Sequence, residues 1–170
     1  MSLTIQDIIE RIETDWESLG ITVYAPATEE EILDFERAIG QQLPDDFKTF
    51  YRYCDGFYSD EDMFRIVPLA EILEVRDYSG HNTYLVRKAD FHFAEYMIYC
   101  DMWTLSNDDL NHNRYSIYAH GKEAVTLTES LAIFLDKFLT GGVFDGLYDW
   151  RDAMEAALEN GTNSDSAESK

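Results

Sequence analysis

Residues 28–57 constrain this chain more than any other stretch: TEEEILDFERAIGQQLPDDFKTFYRYCDGF. Thr28 offers a side-chain oxygen at a helix start, and Glu31 stands three residues on, the spacing of a reciprocal capping box. Glu29 and Glu30 fall in the first turn, where the helix dipole favours negative charge. Ile32, Phe35 and Ile39, with Leu33, form an apolar stripe at helical spacing. Gly40 suits the left-handed position after a helix. Pro44 suits the first turn of a second helix, with Asp45 and Asp46 at its dipole-positive end. Phe47, Phe50, Tyr51 and Cys54 supply its buried face, and Gly56 is expected to stop it. The pattern predicts two amphipathic helices around which the remainder folds.

The flanking sequence fills in the architecture. Ile5, Ile8, Ile9, Ile12, Trp16 and Leu19 recur every three or four residues and predict a helix ending at Gly20. Residues 21–27 read as a short extended stretch or strand. Beyond the helical pair the period changes. Residues 63–68 read as a strand, 69–77 as a short helix and 78–90 as a polar connection. Residues 91–101 (FHFAEYMIYCD) are rich in aromatic and β-forming residues and read as one strand, continued or closely followed by 102–105. Residues 106–113 carry turn chemistry. Residues 114–119 and 124–127 read as strands. Thr128 is expected to cap a helix with Leu131, Phe134, Leu135, Phe138 and Leu139 inward, ended by Gly141-Gly142. A last amphipathic helix over 144–158 is expected to turn Phe144, Leu147, Tyr148, Met154 and Leu158 inward. The order predicts an α+β domain, helices packed against a mainly antiparallel sheet, over residues 1–158. Residues 159–170 are polar and small, and are expected to form a disordered tail.

Charge narrows the partners. Lys and Arg number 13 against 34 Asp and Glu, a net of −21. A field of that sign repels nucleic acid and anionic membranes and attracts basic proteins. No apolar run is long enough to span a membrane. The opening residues are interrupted by acids and do not read as a secretory signal, so a cytoplasmic location is expected. The two cysteines, Cys54 and Cys100, lack metal-ligand spacing and are expected to be buried thiols.

Several motifs fall in a recognisable order: Thr28-Glu29-Glu30-Glu31-Ile32, Phe35-Glu36, Gly40, Leu43-Pro44-Asp45-Asp46-Phe47, Phe50 and Asp55-Gly56-Phe57. The set resembles the SUKH superfamily, typified by the fungal SMI/KNR cell-wall regulator and by many bacterial immunity proteins. Ile66-Val67-Pro68-Leu69-Ile72 looks like that family's strand-to-helix element. Ser130, Leu131, Phe134 and Leu135 look like its late helix. The likeness covers residues 25–139. It departs at Asp55, where the family often has Asn before the glycine. The resemblance implies neutralisation of a toxin encoded nearby, often a nuclease, or a regulatory binding role, and no catalysis.

The residues themselves offer little chemistry. Neither cysteine is set beside a base and an orienting group. His81, His92, His112 and His120 lie in separate elements without metal-ligand spacing, and Asp60-Glu61-Asp62 lacks the glycine and alternating ligands of a calcium loop. No phosphate-binding loop is present, and no cofactor is expected. Two acidic clusters are candidate partner-binding surfaces: Asp55 with Asp60, Glu61 and Asp62, and Asp101 with Asp108 and Asp109 around Trp103. Acids beside an aromatic suit a basic protein partner, charge speeding association and the aromatic adding affinity. Two alternatives stand beside a toxin-neutralising protein. One is a regulatory or scaffold module that binds a cellular protein. The other is a ligand-binding protein or enzyme with a pocket near His92, Tyr96 or Trp103.

Overall fold

The computed structural model describes residues 2–76 and 87–168, with side chains as far as Gly161. Local signals set the opening helices. Thr4 and Asp7 form a reciprocal capping box at the start of α1 (Ile5–Leu19), and Gly20 closes it in the left-handed conformation. After β1 (Ile21–Val23), Thr28 and Glu31 form the expected box on α2 (Glu29–Ile39). Helix α3 (Asp45–Tyr53) follows Pro44, which stands just before the first turn and has no side-chain donor or acceptor to cap it.

Then come β2 (Phe57–Ser59), β3 (Phe64–Ile66), α4 (Leu69–Arg76), β4 (Phe91–Tyr96), β5 (Asp101–Asn107), β6 (Tyr115–His120) and β7 (Ala124–Thr128). Helix α5 (Leu131–Gly141), a π-helix (Gly142–Tyr148) and α6 (Asp149–Glu168) complete the described chain.

The seven strands form one sheet in sequence order, each antiparallel to the next. This is an α+β fold, as the order of elements predicts. Because side chains alternate along a strand, the pairings assign each residue to a face. Phe57, Phe64, Ile66, Trp103 and Ile117 lie on the face covered by helices and are buried. A register shift between His92 and Ala94 lets Phe93 and Ala94 both serve that face. Rings knit the two layers. Phe64 stacks on Phe138 at 4.0 Å, and Phe93 meets Phe47 and Phe134 edge-on at 5.3 and 5.1 Å. Such pairs add specificity to the burial itself.

The structure corrects several expectations. The strand expected over 91–101 breaks after Tyr96. Residues 97–100 form a turn, and Cys100 is exposed there rather than buried. Helix α3 ends at Tyr53, so Gly56 does not stop it. Gly56 instead lets the backbone, at φ 92°, pass so close to the Ile66 carbonyl that a methyl group would collide with it. Ser130, not Thr128, caps α5, its oxygen accepting from the Ile133 N–H at 3.3 Å. Trp16 lies beyond a kink at Asp15 and is half-exposed, as is Leu33. Phe144 and Leu158 face outward. Helical backbone runs on to Glu168. Of the connection expected over 78–90, only residues 87–90 lie within the described chain.

Candidate functional site

A meander of antiparallel strands sends its turns alternately to two ends of the sheet. Turns 60–63, 97–100 and 121–123 share one end, and segments 54–56 and 108–114 lie at the other. Each acidic cluster expected from sequence therefore straddles a strand. Asp55 precedes β2 while Asp60, Glu61 and Asp62 follow it. Asp101 opens β5 while Asp108 and Asp109 lie past its far end, roughly 20 Å away at the rise of a strand. The fold regroups them, placing Asp60, Glu61, Asp62 and Asp101 at one end and Asp55, Asp108 and Asp109 at the other.

At the second end the carboxylates have structural work. Asp55 Oδ1 accepts the Leu69 N–H at 3.0 Å, fixing the start of α4, and burial raises its pKa. Asp108 Oδ1 accepts from Leu110 N–H at 2.8 Å, and Asp109 pairs with Arg87 at 2.5 Å. At the first end Asp101 is partly buried and pairs with Arg151 at 3.4 Å. Asp62 is held in its turn by Ser59, whose Oγ accepts the Asp62 N–H at 3.4 Å. Asp60 and Glu61 are exposed.

Trp103 is not a surface aromatic. It is 1 % exposed, stacked on Tyr148 and edge-on to Phe64 and Phe134. Its pairing row, Ile66–Ala94–Trp103–Ala119–Val125, places it on the helix-covered face. His92 pairs with Thr104 in the adjacent register and lies on the opposite face, so His92 and Trp103 cannot line one pocket. Described cavities lie elsewhere. One of about 280 Å³ separates β7 from α6, and one of about 360 Å³ sits beside Arg87, Arg114 and Glu129.

That opposite face carries a buried polar network. Arg65 pairs with Glu95 at 2.7 Å and with Glu71, and the Tyr99 hydroxyl donates to Glu71. Burial pushes the Glu71 carboxyl up, but its bonds from Arg65 and Tyr99 outweigh that and hold it below the usual range. Thr104 Oγ1 bridges His92 Nδ1 at 2.7 Å and His120 Nε2 at 3.0 Å, and burial lowers the His120 pKa. Tyr118 donates to Asp90 at 2.9 Å. Burial pushes the Cys54 thiol up to about 12, which starves it of thiolate. Among the described residues no three His, Cys, Asp or Glu side chains are grouped to hold a metal ion.

The first end holds residues that sequence reasoning missed. Met63, Met97, Ile98 and Phe144 are 49, 45, 82 and 59 % exposed. They adjoin one another. The Met97 N–H donates to the Met63 carbonyl at 2.9 Å. Phe144 meets Tyr96, the last residue before the 97–100 turn, edge-on at 5.8 Å. A methyl on Gly142 would sit 2.8 Å from Asp62 Oδ1, so the π-helix abuts the acidic turn. Met63, Met97, Ile98 and Tyr99 all have φ between 53° and 62°. Nothing in Met-Ile-Tyr signals that conformation, which explains why the turn reads as strand.

These elements make a helix-backed antiparallel sheet with an acidic and apolar turn end, of the class the ordered motifs suggest. Residues 26–137 match the model of the SMI1 / KNR4 family (SUKH-1), and the chain belongs to that family. No curated protein matches the chain. Among the described residues, no helix is long and apolar enough to cross a membrane.

Proposed function

We propose that this chain is a non-enzymatic cytoplasmic binding protein that neutralises a cognate toxin, often a nuclease in such systems, by covering it with an acidic surface. The observation that carries the reading is membership of the SMI1 / KNR4 family over residues 26–137, coupled with a net charge of −21. A nuclease presents cations to its polyanionic substrate, and an acidic protein competes for the same cations. Steering by opposite charge raises the rate of encounter, which suits a protein that must reach its target before damage is done. Asp60 and Glu61 support this role best, being exposed and at the end of the sheet that also presents apolar side chains.

The test is affinity purification of the full chain from its native lysate, with the neighbouring genes in view. The expected result is retention of a basic polypeptide encoded nearby that arrests growth when expressed alone. Retention of a harmless cellular protein would favour a regulatory module instead and sink the toxin reading.

A further inference from the structure

We infer that the turn end built by residues 60–63, 97–98 and 144–145 is the docking surface, and that its occupant is a basic protein presenting an apolar knob ringed by Lys or Arg. This rests on the binding-protein reading above and names the surface and the partner chemistry. Its strongest support is Ile98. The side chain is 82 % exposed, so folding gains little from it. Its φ of 54° is one that β-branched residues rarely adopt. Met97 and Tyr99, on either side, share the left-handed conformation. Tyr99 has a structural return, since its hydroxyl donates to Glu71 and its N–H to Glu95 at 2.9 Å. Ile98 has neither suitable backbone nor packing, and backbone strain at an outward-facing side chain is characteristic of binding sites.

The surroundings define the occupant. Met63, Met97 and Phe144 extend the apolar area around Ile98, and methionine adapts its shape to a partner. Asp60, Glu61, Asp62 and the exposed Asp145 border it. Among the described residues, most basic side chains near this end are already paired: Arg65 with Glu71 and Glu95, Arg151 with Asp101 and Asp152, Lys122 with Glu159, while Lys137 lies over the Trp150 ring. The border therefore stays negative, and an apolar centre with an acidic rim fits a basic rim around an apolar anchor. A second copy of this chain, at the same charge, would be repelled.

The experiment places a photo-crosslinking amino acid at position 98, 144 or, as a control at the opposite end, at the 97 % exposed Leu110. Each full-length variant is irradiated in the native lysate. The cross-linked protein is identified, purified and titrated against the wild type, Ile98→Ser, Phe144→Ser, Ile98→Gly and the double variant Asp60→Asn/Glu61→Gln. The inference expects a basic protein cross-linked from 98 and 144 but not from 110. It expects at least a tenfold loss of affinity for Ile98→Ser and Phe144→Ser, and a slower association rate for the acidic double variant. Ile98→Gly should weaken binding while raising the melting temperature by roughly 2–4 °C, because glycine relieves the left-handed strain. Cross-linking from 110 alone, no cross-link from 98 or 144, or undiminished affinity in the serine variants overturns it. A toxic partner held elsewhere on the chain would sink this surface and leave the proposed function standing. A harmless basic partner held here would do the reverse.

Discussion

Tyr115 shows how one hydroxyl ties three elements together. It donates to Asp46 in the first turn of α3 and accepts the Leu131 N–H at the start of α5 at 2.7 Å. Tyr115→Phe would leave a half-buried carboxylate and a buried N–H without that partner, and should cost about 1–3 kcal/mol in urea unfolding. The same site has a pH signature. Burial raises the Asp46 pKa above the usual aspartate value, against the bonds it accepts. A carboxyl whose folded pKa is raised holds its proton more tightly in the native state. Its stabilising contribution is complete below the unfolded pKa and is lost as pH rises through the folded value. Wild type should therefore gain stability over Asp46→Asn between pH 7 and pH 4, and a constant difference across that range would contradict the burial argument. Trp103→Ala should lose about 3–5 kcal/mol of stability, because the ring fills the core between Phe64, Phe134 and Tyr148.

At the scale of elements, the Arg65–Glu71–Glu95–Tyr99 group pins α4 and the 97–100 turn to the sheet. Glu95 keeps only 3 % of its side chain exposed, against 25 % for Arg65. Arg65→Met should sit at the low end of the roughly 3–5 kcal/mol typical of breaking a buried pair, since the guanidinium is partly wet. Arg65→Met/Glu95→Met should cost less than the sum of the single changes, and additivity in a double-mutant cycle would mean the pair is uncoupled. The elements themselves were legible where the signal is local. Thr28 with Glu31, Gly20 and Gly40 fix helix ends by chemistry that needs no tertiary partner. The antiparallel sheet and its helical cover followed from the order of periods. The candidate surface was illegible for two physical reasons. Met97-Ile98-Tyr99 contains no residue that favours positive φ, so the turn left no trace. A 3.6-residue period places Phe144 inward, but residues 142–148 wind as a π-helix, whose wider turn shifts the phase and leaves the ring 59 % exposed. The acidic clusters misled because neighbours in sequence were separated by the length of a strand.

The whole molecule is dominated by its charge of −21, which shapes how it meets a partner more than how it folds. Association with a basic protein should slow by about tenfold or more as ionic strength rises from low values to several tenths molar, because the screening length then shrinks below the span of the acidic rim. Dissociation should respond much less to salt if apolar contacts at Ile98 and Phe144 hold the complex. Stopped-flow measurement of both rates with the purified partner separates these contributions. Equal salt sensitivity of the two rates would mean that charge alone holds the pair.

The most direct measurement is growth of cells carrying the captured partner under an inducible promoter, with and without this chain. Induction alone should arrest growth, co-expression of the wild type should restore it, and Ile98→Ser combined with Phe144→Ser should fail to restore it at equal folded protein level. Unimpaired growth when the partner is expressed alone, or arrest that the wild-type chain does not relieve, would contradict the account.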